Sequence, residues 1–404
     1  MTASSAPTRK PLEGVKVIDV ATLGAGPWMA TRMADFGADV IKVEHPSAGD
    51  PLRGIGWADA GVPLWWKVDA RNKRVMTADL SLPEGREILL RLVRDADVLV
   101  ENFRPGTLER WGLGYDVLSE VNPRLVLLRV TGYGQDGPYA GRPGFGTLAE
   151  AMSGWAHLNG FPENPPTLPP MALGDAVTSI LGAFAVMTAL YERDANGGGV
   201  GQVIDISILE SLFSLIGQQA TLYDRLGVVL GRTGNRFPFV TPRNVYECKD
   251  GRHVALAAST PAIFERTMRA IGRPELIDDP DFAGNAARLE HADEMERIVA
   301  DWMILHTQAE VIETFDAHAA GIAPVYDIAQ IFADPHVAAR GMIVEVDDEE
   351  LGPTRVPNVV PRFSRTPGEV RHLGPPPGKH TDEVLAELGY TPEEITLLRD
   401  AGVV

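Results

Sequence analysis

The chain has 404 residues, of which 45% are hydrophobic and 23% charged, with a formal net charge of −18 at pH 7. This length predicts more than one domain, and the negative charge argues against a nucleic-acid partner or an anionic membrane surface. The single cysteine, Cys248, excludes an intramolecular disulfide and favours a reducing, cytoplasmic location. The polar residues 1–10 contain no signal-peptide core, and no uninterrupted apolar run reaches membrane-spanning length.

The first half of the chain alternates strand and helix patterns. After an apolar strand, Pro27 at a first helical position, Phe36 at the last and Gly37 as a stop predict a short helix, and a second strand follows. Such a βαβ unit has a right-handed crossover and a parallel sheet, so we predict an α/β fold with a doubly wound large domain. The predicted strands lie at 15–20, 38–44, 75–80, 97–101, 124–131 and 201–207.

The turn after the first strand resembles a dinucleotide-binding fingerprint. Gly24 and Gly26 occupy the turn, and Glu44 closes the second strand, as in proteins that bind NAD. The third glycine of that fingerprint is replaced by Met29, which disfavours a nicotinamide oxidoreductase without excluding it.

Basic residues concentrate near loops in this half of the chain. Any one of them could belong to an ordinary solvated surface. In a chain this acidic, together they favour a phosphate-bearing ligand. They are Arg53, Arg71, Lys73, Arg74, Arg104 and Arg110.

One carboxylate precedes a long apolar helix. Asp175 follows Gly174, and residues 176–190 are apolar on nearly every face, which predicts a helix buried all round. Asp175 could be the N-cap of that helix. It could also be a reactive nucleophile, since Gly174 allows a ligand to approach closely and the helix dipole favours an ionised acid.

The pattern of predicted strands and helices changes in the second half of the chain. A strand at 201–207 precedes a long helix that runs to about Leu226, and a hairpin is expected to turn at Asp250–Gly251. Helices fill about 261–318. We therefore place the large domain at 1–226 and a smaller α+β domain at 227–335.

The remaining segment, 336–404, is expected to return to the large domain. It contains a strand at 342–346, a proline-rich extended arm that reaches Gly378, and two terminal helices near 381–388 and 392–401.

The chain resembles the class III CoA-transferases of the CaiB/BaiF type, a family that includes formyl-CoA transferase, carnitine CoA-transferase and α-methylacyl-CoA racemase. The resemblance spans almost the whole length and rests on short motifs in the same order as in the family. They are PLEGVKVID (11–19), GADVIKVE (37–44), RNKR (71–74), ENFRPG (101–106), GYG (132–134), LGD (173–175) and HTDEVL (380–385).

This resemblance implies CoA transfer with Asp175 as the nucleophile, through an aspartyl anhydride and an aspartyl-CoA thioester. An acyl-CoA and a carboxylic acid are then the substrates, and neither a tightly bound cofactor nor a metal is expected. The resemblance also implies an interlocked homodimer. Nucleophilic attack by a carboxylate needs proximity, a desolvated pocket and N–H donors for each oxyanion, and a glycine-flanked Asp beside a buried helix fits those needs.

The resemblance further implies which residues contact CoA. His45 stands where the formyl-CoA enzyme has an arginine, so a phosphate contact there is in doubt. The other implied contacts are Leu23, Gly24, Ala25, Ala78, Leu80, Asn102, Phe103, Arg110 and Arg142.

The racemase branch is the main alternative within the family. Racemases pair the same aspartate with a histidine after the Gly-Tyr/Trp-Gly loop. Here that position is Phe145, whose ring cannot exchange a proton, and His157 lies in a different segment. The sequence therefore favours a transferase.

The sequence does not identify the acceptor acid, but three arginines of the small domain are candidates to bind it. Arg232, Arg236 and Arg243 could bind a second carboxylate, which favours a dicarboxylic acid with succinyl-CoA as the donor. They could equally be ordinary surface arginines with no ligand. The glycine-rich loop that covers the aspartate in the formyl-CoA enzyme is missing. Residues 234–236 and Pro238 occupy the corresponding region, which implies a different cover and a different acid.

Overall fold

The structure, a computed structural model, describes residues 9–196 and 198–404. The N-terminal stretch in which we expect no signal peptide falls mostly outside this part. The described residues form two compact units. The first contains the chain up to Trp155, Leu168–Thr221 and His336–Val404, and the second contains Ala156–Thr167 and Leu222–Pro335. The sequence did not predict that Ala156–Thr167 belongs with the second unit.

The strands fall in four sheets. In chain order they are β1 (Lys16–Asp19), β2 (Asp39–Glu44), β3 (Ala58–Asp59), β4 (Val62–Pro63), β5 (Arg74–Thr77), β6 (Val98–Glu101), β7 (Val126–Thr131), β8 (Val203–Ser207), β9 (Arg243–Glu247), β10 (His253–Ala257), β11 (Ile322–Pro324), β12 (Ile343–Asp348) and β13 (Gly352–Pro357).

Helices connect and cover these strands. In chain order they are α1 (Ala25–Asp35), α2 (Leu64–Asp69), α3 (Pro83–Val93), α4 (Thr107–Arg110), α5 (Tyr115–Val121), α6 (Gly146–Met152), α7 (Trp155–Leu158), α8 (Leu173–Tyr191), α9 (Ile208–Leu215), α10 (Gln218–Leu226), α11 (Pro261–Ala270), α12 (Asn285–Glu290), α13 (Ala292–Met303), α14 (Gln308–Ala317), α15 (Ile328–Ala333), α16 (Pro335–Ala339), α17 (Thr381–Glu387) and α18 (Pro392–Asp400).

The first unit is built on a six-stranded parallel sheet with the order β5-β2-β1-β6-β7-β8. This confirms the predicted α/β class and parallel sheet. The chain winds outward from β1 in one direction to β2 and β5, and from β6 in the other. The strand order therefore reverses between β1 and β6, and ligands of doubly wound folds bind at the carboxyl ends of the strands at that point.

Each face of this sheet carries its own apolar core. On one face Ile88, Leu89 and Leu118 pack with Val384 and Leu385 of α17, so the C-terminal helices complete this layer. On the other face Met29, Met33 and Ala34 of α1 pack with Val186 and Ala189 of α8. Burial of this apolar surface is the main stabilising term, about 25 cal/mol per Å². It fixes α1 and α8 against the sheet, and with them the loop that follows β1.

The second unit has an antiparallel sheet, β11-β10-β9, with a separate core under its helices. The hairpin between β9 and β10 turns at Asp250 and Gly251, as predicted, and Gly251 has the positive φ of +72° that such a turn requires. Phe264, Met295 and Phe315 are almost fully buried in this core.

Several predicted element boundaries were wrong. Helix α1 begins at Ala25, so Pro27 is its third residue rather than its first. The long helix expected after Ser207 is interrupted near Gly217 and forms α9 and α10, since glycine is a poor helix former. The strand expected at 342–346 corresponds to β12, but the arm expected after it contains β13, which pairs with β12 in a hairpin that was not predicted.

The prediction that α8 is buried on every face was also wrong. One face packs on α1 and the sheet, whereas a second apolar face is exposed. The exposed side chains repeat at helical spacing: Ile180 (57% exposed), Phe184 (71%), Met187 (40%) and Tyr191 (68%). The helical stretch Leu173–Asn196 has the length of a membrane span, and its apolar segment has a mean hydropathy of 1.6, which is also typical of one. Of that apolar segment, 39% is buried inside the structure.

Candidate active site

Asp175 is the third residue of α8 and lies in its first turn. The N-cap position is Ala172, which makes no side-chain hydrogen bond, so the interpretation of Asp175 as an N-cap was wrong. The Asp175 carboxylate instead accepts a hydrogen bond from the backbone N–H of Ala25, at the start of α1. The loop after β1 and the first turn of α8 therefore meet at this carboxylate.

Two glycines press against the Asp175 side chain. A Cβ atom on Gly24 would lie 2.8 Å from Asp175 Cγ, and one on Gly146 would lie 2.9 Å from Asp175 Oδ2. Real Cβ atoms do not tolerate such distances, so a side chain at either position would displace the carboxylate. The carboxylate is thus held between two backbone segments that carry no side chain.

A second carboxylate lies close to Asp175, and the sequence analysis missed it. Glu150 on α6 is only 3% exposed, and its Oε1 accepts a hydrogen bond from the backbone N–H of Gly174 at 3.1 Å. Burial raises the pKa of the Asp175 carboxyl, the Ala25 N–H opposes this rise, and the charge of Glu150 adds to it. The sequence signal that could have identified Glu150 is its position as the single acidic residue in the otherwise uncharged helix 146–152.

Asp175 opens into a cavity at the carboxyl edge of the sheet. The loops after β1 and β6 form one side, and residues 130–146 form much of the other. Of the residues predicted to contact CoA, those that line this cavity are Leu23, Gly24, Ala25, Asn102, Phe103 and Arg142. The structure thus brings together groups that the sequence places more than a hundred residues apart.

A second cavity lies beside the first, and Thr22 and Phe103 line both. The predicted contacts His45, Ala78 and Leu80 line this second cavity. His45 is half exposed, and its Nε2 lies 3.4 Å from Asp79 Oδ2. Arg110 lines neither cavity; it is exposed and donates to the hydroxyl of Thr107.

The loop after β1 is fixed by side chains from two directions. The backbone N–H of Thr22 donates to Asn102 Oδ1 at 2.8 Å, and Asn102 Nδ2 donates to the Thr22 carbonyl at 2.7 Å. The N–H of Leu23, which has a positive φ of +65°, donates to Asp50 Oδ1 at 3.0 Å. Asp50 is itself paired with the buried Lys42 at 2.9 Å. This loop presents the Ala25 N–H to Asp175.

Most of the basic residues expected to bind phosphate are already paired. Arg71 bonds Asp35, and Lys73 bonds Asp19. Their positive charge therefore stabilises the fold, and this part of the phosphate-site prediction was wrong. In the same way Arg53 pairs with Glu44, while Arg74 pairs with Asp39, Glu383 and Glu387.

Two arginines at the first cavity remain available to an anion. Arg104 and Arg142 line it, and neither forms an ion pair within the described residues. Arg142 stacks on Tyr139, with its guanidinium carbon 3.9 Å from the ring centroid. Local positive charge of this kind is what an acidic chain needs in order to bind an anionic ligand.

A family model described as CoA-transferase family III matches residues 12–381. The chain belongs to CoA-transferase family III. Enzymes of this family use CoA thioesters as substrates rather than as tightly bound cofactors. The predicted family and the predicted class of enzyme are thereby confirmed.

The relatives of this family III chain extend over nearly its full length. It is 46% identical to the succinyl-CoA–L-malate CoA-transferase beta subunit of Chloroflexus aurantiacus, over 98% of this chain and 99% of that protein. It is 41% identical to the succinyl-CoA–D-citramalate CoA-transferase of the same organism, over 98% of each chain. A crystal structure of a CaiB/BaiF family protein from Brucella suis shares 32% identity and a TM-score of 0.82, covering 94% of this chain and all of that one.

The position that distinguishes racemases within the family lies in the first cavity. Phe145 lines it and is 61% exposed, and the residues around Asp175 include no histidine. The two Chloroflexus relatives are named as transferases. Both observations favour transfer over racemisation.

The three arginines expected to read the acceptor acid all lie in the second unit. Arg236 pairs with Asp293, and Arg243 donates to the Asn235 carbonyl. Arg232 donates to the carbonyls of Phe161 and His157. Their role in binding a second carboxylate stays a prediction, as does the covering role of residues 234–236 and Pro238.

Proposed function

We propose that this enzyme transfers CoA from succinyl-CoA to a dicarboxylic acid, with Asp175 as the nucleophile. The observation that carries the proposal is the Asp175 carboxylate, which is held between Gly24 and Gly146. It opens into a cavity lined by two arginines that form no ion pair with any residue the structure describes. The names of the relatives support the choice of substrates, since they act with succinyl-CoA on L-malate or D-citramalate. The acceptor that we expect is a small hydroxy-dicarboxylic acid.

The proposed reaction has four covalent steps. A carboxylate oxygen of Asp175 attacks the thioester carbonyl, the carbon–sulfur bond breaks, and a mixed anhydride and CoA thiolate result. The thiolate then attacks the carbonyl carbon of Asp175 and expels succinate, which leaves an aspartyl-CoA thioester. The acceptor carboxylate attacks that thioester, the carbon–sulfur bond breaks, and a new anhydride and CoA thiolate result. The thiolate finally attacks the acceptor carbonyl and frees Asp175.

Each step passes through a tetrahedral oxyanion. The Ala25 N–H interacts with the Asp175 carboxylate and lowers its pKa, so it can stabilise negative charge on the oxygen of the aspartyl group. Asn102 and Asp50 hold the loop that carries this N–H, so the donor needs little reorganisation when charge develops.

The two adjacent cavities suit the two ends of a CoA thioester. We assign the acyl group and pantetheine to the cavity at Asp175, with Leu23, Gly24, Ala25, Asn102 and Phe103. The adenine end is assigned to the second cavity, which contains Ala78, Leu80 and His45. Arg142 is assigned to the phosphates, and Arg110 is the weakest of the predicted contacts because it lines neither cavity.

We also propose that the chain acts as a homodimer in the cytoplasm. The exposed apolar face of α8 supports association, because soluble monomers rarely leave such a stripe uncovered. The malate relative is itself named as a subunit. The lone cysteine is buried and fits a reducing compartment.

The test is the intact mass of the protein after incubation with succinyl-CoA, with and without hydroxylamine. We expect a CoA-sized adduct that maps to Asp175, disappears with hydroxylamine and is absent in Asp175→Ala. As a control, Asp194→Ala removes an exposed carboxylate just beyond the far end of α8 and should leave the adduct intact. Absence of any adduct, together with deuterium exchange at the α-carbon of a branched acyl-CoA, would overturn the transferase in favour of the racemase.

A further inference from the structure

Glu150 satisfies a backbone N–H at the start of α8, the role for which Asp175 was a candidate N-cap. The first N–H groups of a helix lack partners within the helix, and Ala172 at the N-cap of α8 offers no side chain to satisfy them. Glu150 reaches across from α6 and accepts the N–H of Gly174, the second residue of α8. Because this bond comes from a neighbouring helix, the Asp175 side chain is free to face the cavity.

The same residue places a buried negative charge next to the nucleophile. Glu150 is 3% exposed, so little solvent screens its carboxylate from Asp175. Two nearby carboxylates resist being ionised together. Burial is the largest cause of the raised pKa of the Asp175 carboxyl, and the charge of Glu150 adds to it.

The proposed covalent intermediates remove one of these two charges. When Asp175 becomes an anhydride or a CoA thioester it is uncharged, and the negative charge moves to the thiolate sulfur or leaves with the released acid. Repulsion between the two carboxylates is therefore present in the free enzyme and absent from the intermediates.

We propose that Glu150 is a positioning residue for Asp175, one that fixes the first turn of α8 and destabilises the ionised nucleophile relative to its covalent intermediates. This inference rests on the proposed function. It assigns to Glu150 no contact with the substrate and no transfer of a proton.

Charged and titratable groups other than Glu150 also lie near Asp175. The cavity contributes Arg104, Tyr133 and Arg142, and α1 contributes Arg32, which donates to Ser179 on α8. The loop after β1 contributes no titratable side chain at residues 22–25. Among these groups Glu150 is the carboxylate, so its removal takes a negative charge away from Asp175.

The test uses Glu150→Gln, because glutamine keeps an oxygen for the Gly174 N–H and removes only the charge. We expect the acid limb of kcat/KM to move to lower pH, because Asp175 then stays ionised in more acidic solution. We also expect less aspartyl-CoA at equilibrium for a fixed ratio of succinyl-CoA to succinate. The equilibrium constant for its formation should be about threefold to tenfold lower than in the wild type.

A matched control distinguishes the effect of removing a charge near Asp175 from the general effect of removing a buried acid. Asp35→Asn removes a buried carboxylate at the end of α1, on the opposite edge of the sheet, where it bonds Arg71 and Asn72. We expect it to lower the melting temperature and leave the acid limb unchanged. An adduct in the wild type together with an unchanged acid limb and adduct fraction in Glu150→Gln would overturn the inference.

Failure of the proposed function would be distinguishable, because the wild type would then form no adduct at all. If Glu150→Gln does not fold, the Asp175 carboxylate can be titrated directly by infrared difference between the wild type and Asp175→Asn. A midpoint at the ordinary aspartate value, about 3.9, would also overturn the inference.

Discussion

Asn102 and Thr22 form two reciprocal hydrogen bonds, one in each direction, at 2.8 and 2.7 Å. They join the loops after β6 and β1 at the point where the strand order of the sheet reverses. The Thr22 loop leads directly into the Ala25 N–H that Asp175 accepts. An asparagine expected from family resemblance to contact CoA is thus also part of the support for the nucleophile.

Asn102→Ala should therefore slow the reaction as well as weaken substrate binding. Loss of both hydrogen bonds frees the loop, and a misplaced N–H donor costs on the order of tenfold to a hundredfold in kcat. Single-turnover formation of the CoA adduct measures this step directly. The matched control is Asn122→Ala, which removes a buried asparagine that bonds the Val93 and Ala96 carbonyls at the opposite edge of the sheet. An equal loss of rate in both variants would contradict the prediction.

Much of this architecture could be predicted from the sequence because its signals are local. Apolar strands that alternate with helices predict the parallel sheet, and ligands of such folds bind at the carboxyl ends of the strands. Gly174 and the apolar run after it indicated that Asp175 was either an N-cap or a nucleophile, and the resemblance to the CoA-transferases favoured the nucleophile. Each of these inferences uses residues that are neighbours in the chain.

The parts that were missed depend on partners far apart in the sequence. Arg71 and Arg74 read as free cations until the fold places Asp35 and Asp39 beside them. Glu150 was not predicted because its partner, the Gly174 N–H, lies 24 residues away. Periodicity also shows that α8 is apolar, but it does not show that one apolar face remains uncovered within a single chain.

Gly146→Ala should inactivate the enzyme while preserving its fold. The added Cβ would lie 2.9 Å from Asp175 Oδ2, so the carboxylate must move, and a displacement of about 1 Å can cost on the order of a hundredfold in rate. Gly141→Ala is the control, because its Cβ would meet nothing within 4 Å. We expect adduct formation to fall only in Gly146→Ala, with similar melting temperatures for both variants. Full activity in Gly146→Ala would show that the contact is not restrictive.

Arg142 should matter more for acyl-CoA binding than Arg110. Arg142 lines the cavity at Asp175, whereas Arg110 is exposed beside Thr107 and lines neither cavity. Loss of one charge-assisted contact is worth about tenfold, so Arg142→Gln should raise the KM for succinyl-CoA by that factor, and Arg142→Lys should recover part of it. Arg110→Gln serves as the control and should stay within about twofold. A larger effect in Arg110→Gln would restore it as the main phosphate contact.

The apolar face of α8 should be the surface through which two copies associate. Phe184 is 71% exposed at the centre of the stripe that also contains Ile180, Met187 and Tyr191. A charge there would have to be buried without a partner in the dimer, at a cost of several kcal/mol, so Phe184→Asp should yield monomers in sedimentation equilibrium. Leu305→Asp, at a 67% exposed position in the second unit, should leave the assembly unchanged. If Phe184→Asp keeps the wild-type mass, association does not use this face; if the wild type is itself monomeric, the stripe has another role.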